Sequence, residues 1–348
     1  MPLWVIAEEF KDVSIVHYVD KRGAWGTKGR KILFRSSRGN KWESIAEFPF
    51  ILEDTVGWNR LASRALRVNK CIILPTDSGD LLGIRKGKVY KISSTKVSEL
   101  FQIQGRAPLL RGVSRSQNKE IYFGEYLSNR ERGPVNIWAV SHDMTSHRKA
   151  FSFQAGSIRH IHGLYDDPYN KKRVWVTTGD LNGECFIWFS DDGFRTITRL
   201  GDGTQLWRAV GLLFTENSVC WFTDTNLADN HFVHMDRKNQ KAFIVSDVEN
   251  STLYSCRTTD GLYFASTIVE EGAFIKSSSA TIRISHDCKN WEEIVSFEKD
   301  SYPKTYFGFG LISFPSGSFS SKEVWISGTA LKSFDGFCKK ISLLGDPE

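Results

Sequence analysis

Short apolar runs separated by polar turns recur along the whole chain, and no segment has the length and period of a long amphipathic helix. Runs of three or four apolar residues that are bounded by turn residues are typical of strands buried on both faces. The clearest runs are Ile121–Phe123, Val174–Val176, Val219–Phe222, Leu262–Phe264 and Val324–Ile326. The pattern therefore predicts an all-β protein.

The runs follow a repeat of about 49 residues. An arginine precedes one short strand in each repeat, at intervals of 47, 48, 49 and 49 residues, at positions Arg64, Arg111, Arg159, Arg208 and Arg257. Another 49 residues lead to Tyr306. Four short strands per unit at this period are typical of a β-propeller blade, which buries its faces only by stacking on its neighbours.

The repeat predicts one domain over residues 1–348, a seven-bladed β-propeller of four-stranded blades. Six units begin near residues 60, 107, 156, 204, 252 and 304. Residues 3–48 supply the seventh unit, with strands near 3–8, 13–19, 31–36 and 42–48. Six blades are the alternative, if the first segment only completes the last blade.

Composition narrows the class of protein. The net charge is +6 over 348 residues with both signs interleaved, so we expect no nucleic-acid partner. No apolar run approaches the roughly 20 residues of a membrane span, and the first residues do not resemble a secretory leader. The six cysteines form no CxxC pair and are expected to be reduced, buried thiols. We therefore expect a cytoplasmic protein with no membrane partner.

One family resemblance rests on two turns. Ser190–Ile197, with the sequence Ser-Asp-Asp-Gly-Phe-Arg-Thr-Ile, resembles the Asp-box (Ser-x-Asp-Gly-Gly-x-Thr-Trp) of the sialidase-like, BNR-repeat propellers, and Ser285–Trp291 resembles its shorter form. The short Asp side chain of such a box satisfies backbone N–H groups in a tight turn. The resemblance implies that these turns lie on the face away from the active site, so Asp192 and Asp287 are expected to be structural.

Charged residues are predicted to converge at one mouth of the propeller. Because strands alternate in direction, the start of the first strand and the end of the second strand share one rim of a blade. The five repeated arginines lie at the first position, and acids lie at the second, namely Asp77, Glu125, Asp180, Asp224 and Glu270. Arginine binds carboxylates through two parallel hydrogen bonds, so the mouth is a candidate anion site. The alternative is that each arginine forms a structural ion pair with an acid of its own or a neighbouring blade.

Only the fourth unit adds histidines to this rim. His160 and His162 are two residues apart and therefore share one face of a strand. Either both pack between blades or they join Glu125 and Asp180 in proton transfer. A third metal ligand is not visible in the sequence, so we predict no metal and no cofactor.

The sialidase resemblance implies further roles. Arg64, Arg159 and Arg208 would bind the substrate carboxylate, Asp77 or Asp180 would donate a proton, and Tyr306 would be the nucleophile. The resulting prediction is an enzyme that hydrolyses or otherwise processes an anionic sugar or glycan. A uronic-acid lyase is one alternative, in which His160, His162 or Tyr126 removes the C5 proton. A propeller that binds a protein or glycan without catalysis is the other.

Overall fold

A computed structural model describes residues 4–94, 96–116 and 120–343 and contains seven antiparallel sheets that form a β-propeller. Each sheet contains four antiparallel strands that follow one another from the central channel to the outside. The sheet of blade 1 has in addition a two-residue strand that pairs in parallel with its innermost strand. The prediction of a seven-bladed all-β propeller is confirmed.

The blades follow one another along the chain. The strands of blades 1 to 4 are β2 (Ile15–Asp20), β3 (Gly23–Lys28), β4 (Lys31–Ser36) and β5 (Glu43–Glu47); β6 (Cys71–Pro75), β7 (Leu81–Arg85), β8 (Lys88–Ile92) and β9 (Val97–Gln102); β10 (Val113–Ser116), β11 (Glu120–Gly124), β12 (Val135–Ser141) and β13 (His147–Phe153); β14 (Ile161–Asp166), β15 (Val174–Thr178), β16 (Cys185–Ser190) and β17 (Thr198–Gly203). The strands of blades 5 to 7 are β18 (Leu213–Phe214), β19 (Ser218–Phe222), β20 (Asn230–Asp236) and β21 (Ala242–Val248); β22 (Thr252–Arg257), β23 (Tyr263–Thr267), β24 (Ser279–Ser285) and β25 (Glu292–Glu298); β26 (Leu311–Ser313), β28 (Val324–Thr329), β29 (Cys338–Leu343) and β1 (Trp4–Phe10). The fifth strand of blade 1 is β27 (Ser316–Gly317).

The two ends of the chain close the ring within blade 7. β1 pairs antiparallel with β29, with Ile6 opposite Ile341 and Phe10 opposite Cys338. The expectation that residues 3–8 begin a separate first blade is therefore wrong, because this strand completes the last one. The blade number is nevertheless seven. Residues 23–28 (β3), which were not predicted as a strand, lie beside β2 and bring blade 1 back to four antiparallel strands.

Two of the predicted strand starts lie in helices. Arg64 lies in α1 (Arg60–Ala65), and Tyr306 lies in α2 (Lys304–Phe307). The innermost strand of blade 2 is therefore β6. The prediction that Asp77 ends a second strand treats this same run as the second strand of the blade. The remaining helical segments are 3-10 turns at Leu52–Val56, Gln205–Trp207 and Ser321–Glu323. Within the described ranges, no helix has the length and apolar composition needed to cross a membrane.

The hydrophobic cores lie between neighbouring blades. Ile121, Tyr122 and Phe123 of β11 are all fully buried, because one face of the sheet packs on blade 2 and the other on blade 4. This burial on both faces explains the continuous apolar runs in the sequence. Outer strands such as β5 remain polar and half exposed.

We predict that the packing of β1 against the other strands of blade 7 stabilises the closed ring. Phe10 is buried against Trp325, with ring centroids 4.7 Å apart. Phe10→Ala should lower the free energy of unfolding by about 3 kcal/mol, because it removes a buried aromatic side chain and leaves a cavity. Chemical denaturation measures the change. Ile6→Ala on the same strand is the control, since Ile6 is exposed; equal effects of the two substitutions would contradict the prediction.

Candidate functional site

A cavity of about 490 Å³ lies at one end of the propeller channel. Its wall includes residues at the starts of inner strands, such as Ile15 and Cys71, and residues just after second strands, such as Asp180 and Asp224. Seven blades therefore bring side chains from distant parts of the chain to one place. Among the sequence candidates, the cavity wall includes Arg64, Arg159, His162, Asp180, Arg208 and Asp224.

Asp180 is the centre of a network of basic groups. Its carboxylate accepts a hydrogen bond from Arg159 Nη1 at 2.9 Å and lies 3.2 Å from Arg208 Nη2. His162 Nε2 and His160 Nε2 face the same carboxylate at 3.4 and 3.7 Å. The strand pattern placed Asp180 and the two histidines at the same rim, and the structure brings them into contact.

The protonation states in this network are set by burial and charge. Burial favours the neutral form of Asp180, but the hydrogen bond and charge of His162, with the charges of His160 and Arg208, outweigh it and hold its pKa well below the usual range. Burial lowers the pKa of His160 to about 3, so this imidazole is neutral near pH 7. Its Nδ1 contacts the carbonyl oxygen of Leu127 at 2.9 Å.

The same three residues form a donor set of the type that binds metal ions. The Nδ1 atoms of His160 and His162 lie against backbone carbonyls, which leaves both Nε2 atoms directed at Asp180. The ligand atoms lie within 4.8 Å of one another, so the third donor that the sequence did not reveal is Asp180. The guanidinium groups of Arg159 and Arg208 already neutralise the carboxylate of Asp180. A cation bound to this carboxylate would therefore lie close to the positive charge of Arg208.

Two further acids lie deeper beside Arg208. Asp224 and Glu270 are buried, and Arg208 Nη2 lies 3.8 Å from Asp224. Burial raises the pKa of Asp224, and burial together with the charge of Asp224 raises the pKa of Glu270 to about 7. The hydroxyl of Ser251 donates a hydrogen bond to Glu270. Glu270 therefore holds a proton in a large fraction of molecules near neutral pH.

Positively charged side chains line the cavity from a segment that the 49-residue repeat does not identify. Arg67 and Lys70 follow α1 and line the cavity, and neither forms an ion pair with a carboxylate among the described residues. Arg106, which is exposed and is not part of the cavity wall, also forms no ion pair with a carboxylate among the described residues. Lys70 is exposed to the cavity solvent, and desolvation by the surrounding protein, followed by the charges of Arg67 and Arg106, lowers its pKa to about 8. We call Arg67 and Lys70 the cationic wall.

The cationic wall had a signal in the sequence. Residues 55–76 contain no Asp or Glu but contain Arg60, Arg64, Arg67 and Lys70 at intervals of three or four residues. This spacing places side chains on one side of a helix. Arg64 itself is neutralised, because its guanidinium pairs with Asp300 at 2.5 Å and Asp335 at 3.3 Å.

Three of the sequence candidates are not part of the cavity wall. Asp77 follows the end of β6, whereas Cys71 at the start of that strand lines the cavity. Arg257 lies at the end of β22, where its Nη1 contacts the hydroxyl of Tyr169 at 3.1 Å. Tyr306 is 68% exposed on α2 and is not part of the cavity wall. The directions of β6 and β22 therefore correct the assignment of Asp77 and Arg257 to the mouth, whereas Tyr306 is outside the wall because its side chain is exposed on α2.

Two other candidates have structural partners. Glu125 is fully buried and accepts hydrogen bonds from Gln104 N, Asn136 N and Nδ2, and Trp138 Nε1 at 2.9–3.1 Å. The guanidinium of Arg111 donates to the carbonyl of Pro315. Neither side chain lines the cavity.

The two Asp turns are held by local hydrogen bonds. Asp192 accepts from Thr196 N at 3.0 Å and Thr196 Oγ1 at 2.7 Å, and Asp287 accepts from Lys289 N and Asn290 N at 2.8 and 2.9 Å. Both turns follow the ends of third strands, opposite the cavity.

Comparisons with known proteins place the chain by fold alone. No family model matches it, and no curated protein matches it in sequence. An oligogalacturonate lyase from Vibrio parahaemolyticus superposes with a TM-score of 0.59 at 8% identity, over 95% of this chain and 91% of that one. An oligogalacturonate lyase in complex with manganese gives 0.57 at 7% identity, over 91% and 83%. YCF48 bound to D1 peptide gives 0.56 at 10% identity, over 99% and 94%. These structures support the propeller and leave the sialidase resemblance without a matching family.

We predict that Asp180 stabilises the fold through its basic partners. Asp180→Asn should lower the free energy of unfolding at pH 7 by about 3 kcal/mol, because it leaves Arg208 partly unpaired in a buried site. A carboxyl whose pKa is depressed on folding stabilises above its unfolded pKa of about 4, and this contribution is lost as the pH falls. The difference between wild type and variant should therefore narrow below about pH 4.

Denaturant unfolding between pH 7 and pH 2 measures this difference. Asp77→Asn is the control, because Asp77 is 75% exposed in its ion pair with Arg115 and should change stability by less than about 1 kcal/mol. A difference between wild type and Asp180→Asn that stays constant with pH would contradict the assignment.

Proposed function

We propose that the cavity binds the carboxylates of an acidic oligosaccharide and cleaves the sugar by β-elimination, as a uronate lyase. The observation that carries the proposal is the coexistence, in one cavity, of unpaired cations and buried acids with raised pKa values. Hydrolysis of a sialic acid has less support, since Tyr306, the nucleophile that the sialidase resemblance implies, lies outside the cavity wall.

The cationic wall suits the carboxylate of a uronic acid. The C5 proton of such a sugar lies next to the carboxylate, and its removal places negative charge on the carboxylate oxygens. Cations that contact these oxygens stabilise that charge most strongly when the surroundings exclude water. Arg67 is suited to this role, because its guanidinium has no competing acid among the described residues and lines the cavity.

Lys70 and Glu270 have pKa values near neutrality, so a fraction of molecules has Lys70 without its proton and Glu270 with one, as elimination needs. The neutral amine of Lys70 would take the C5 proton while the C4–O bond breaks, the C4=C5 double bond forms, and Glu270 gives its proton to the departing oxygen. His162, the base considered from sequence, is less suited because Nδ1 contacts the Ala209 carbonyl at 2.8 Å and Nε2 faces Asp180. Both lyase neighbours act on an oligogalacturonate by name, which supports this substrate class.

Binding without cleavage is the second candidate. Asp180, Arg159 and Arg208 satisfy one another, as in the structural ion pairs that the sequence also allowed. One neighbour by fold binds a peptide. A chain that binds acidic oligosaccharides or acidic peptides and cleaves neither would favour this candidate.

We predict that Arg67→Ala weakens the binding of galacturonate oligomers by about 1.5–3 kcal/mol, the scale of a hydrogen bond to a charged group. The melting temperature should stay the same, because no described carboxylate loses a partner. Calorimetric titration and thermal melts test both points. Arg257→Ala is the matched control, since Arg257 lies away from the cavity wall. Equal binding of methyl-esterified oligomers, which lack the charge, would contradict carboxylate recognition.

We predict a bell-shaped dependence of kcat/KM on pH for the appearance of the ultraviolet-absorbing unsaturated product. The reaction needs Lys70 without its proton and Glu270 with one, so the rate should rise and fall around a maximum between pH 7 and pH 8. Lys70→Met and Glu270→Gln should each lower kcat at least 100-fold.

The same assay separates the candidates. Full activity of both variants would exclude these two residues as base and acid, and a wild-type chain that binds the oligomer without forming product would be a binding protein. Parallel runs with Mn²⁺ and with a chelator show whether the donor set around Asp180 takes part.

A further inference from the structure

A second cluster of chemically active side chains lies between blades 5 and 6. Cys220 of β19 and His234 of β20 are directly opposite each other in the antiparallel ladder, so their side chains share one face of blade 5. Cys288, from the turn that follows β24 of blade 6, meets this pair. All three residues are buried, with exposures of 0%, 2% and 0% for Cys220, His234 and Cys288.

The donor atoms of the three residues converge. One nitrogen of His234 and the two sulfur atoms all lie within 4.8 Å of one another. His234 Nε2 lies 2.6 Å from the carbonyl oxygen of Cys288. The imidazole and Cys220 are therefore both directed at Cys288.

The backbone conformation of Cys288 determines where its thiol lies. Cys288 has a φ of 57°, in the left-handed region that favours glycine. At the corresponding turn of blade 4, the residue after Asp192 is Gly193, with a φ of 73°. The chain thus places a thiol at a position where glycine is less strained, and this position aims the sulfur atom at Cys220 and His234.

We propose that Cys220, His234 and Cys288 bind one Zn²⁺ ion that joins blade 5 to blade 6. A point exists within about 2.8 Å of all three donor atoms, so shifts of less than about 1 Å give the usual Zn–S and Zn–N lengths of about 2.3 and 2.0 Å. Two thiolates and a neutral imidazole are ligands that zinc prefers.

Charge balance favours a divalent ion in this pocket. Binding releases the two thiol protons to solvent, and the resulting site of two thiolates and Zn²⁺ carries no net charge. A buried site without net charge avoids the desolvation penalty of an isolated ion. His234 must adopt the tautomer protonated at Nδ1, so that its Nε2 lone pair turns from the Cys288 carbonyl to the metal.

The test measures metal content and ligand type in the full chain. Wild-type protein grown with added zinc, or refolded from denaturant with Zn²⁺, should retain about one equivalent after gel filtration. Refolding with Co²⁺ should give the intense ultraviolet band of cobalt–thiolate bonds.

Cys288→Gly is the decisive variant, because glycine suits the backbone at this position and the chain should fold as well as wild type. It should retain less than a tenth of an equivalent of zinc and lose the cobalt–thiolate band. Cys256→Ala, which removes another buried thiol, should bind metal as wild type does.

Three results would overturn the proposal. They are a wild-type chain without zinc after both routes, equal metal binding by Cys288→Gly, or a Cys220–Cys288 disulfide found by mass analysis of the protein purified under reducing conditions. None of them bears on cleavage of acidic sugars, because this cluster is separate from the cavity wall.

Discussion

The pairing of β1 with β29 is the constraint on which the rest of the structure depends. A propeller blade buries its two faces only against neighbours, so an open row of seven blades would expose the faces of its two end sheets. The N-terminal strand enters the sheet of blade 7, and Phe10 packs on Trp325, which ties the last blade to the residues that lead into the first. Ring closure then directs the starts of the inner strands to one end of the channel.

The charge distribution in the cavity follows from this geometry and from one irregular segment. Acids that end second strands arrive from blades 4, 5 and 6, where Arg159 and Arg208 neutralise Asp180. The unpaired cations Arg67 and Lys70 arrive from the connection between blades 1 and 2, which is long enough to form α1 at the mouth. The regular blades thus contribute acids and arginines that neutralise one another. The connection between blades 1 and 2, which departs from the repeat, contributes the excess positive charge.

The sequence predicted the blade number, the strand-rich fold and the convergence of Asp180, His160 and His162, because each depends on local pattern and on strand direction. It misplaced Asp77 and Arg257, since a short apolar run does not reveal whether it is the first or second strand of its blade. Glu125 was misread for another reason: an acid at a strand end has the same pattern whether it faces a cavity or accepts hydrogen bonds from Asn136 and Trp138. Those partners are set by packing.

Repetition and function are therefore separable in this chain. The arginines that recur at intervals near 49 residues are the ones with partners: Arg64 with Asp300, Arg111 with Pro315, Arg159 with Asp180. These partners differ from blade to blade, but each one satisfies the guanidinium within the fold. The cations that line the cavity without a carboxylate partner among the described residues, Arg67 and Lys70, lie outside that register. Departures from the repeat, more than the repeating arginines, thus supply the unpaired positive charge of the cavity wall.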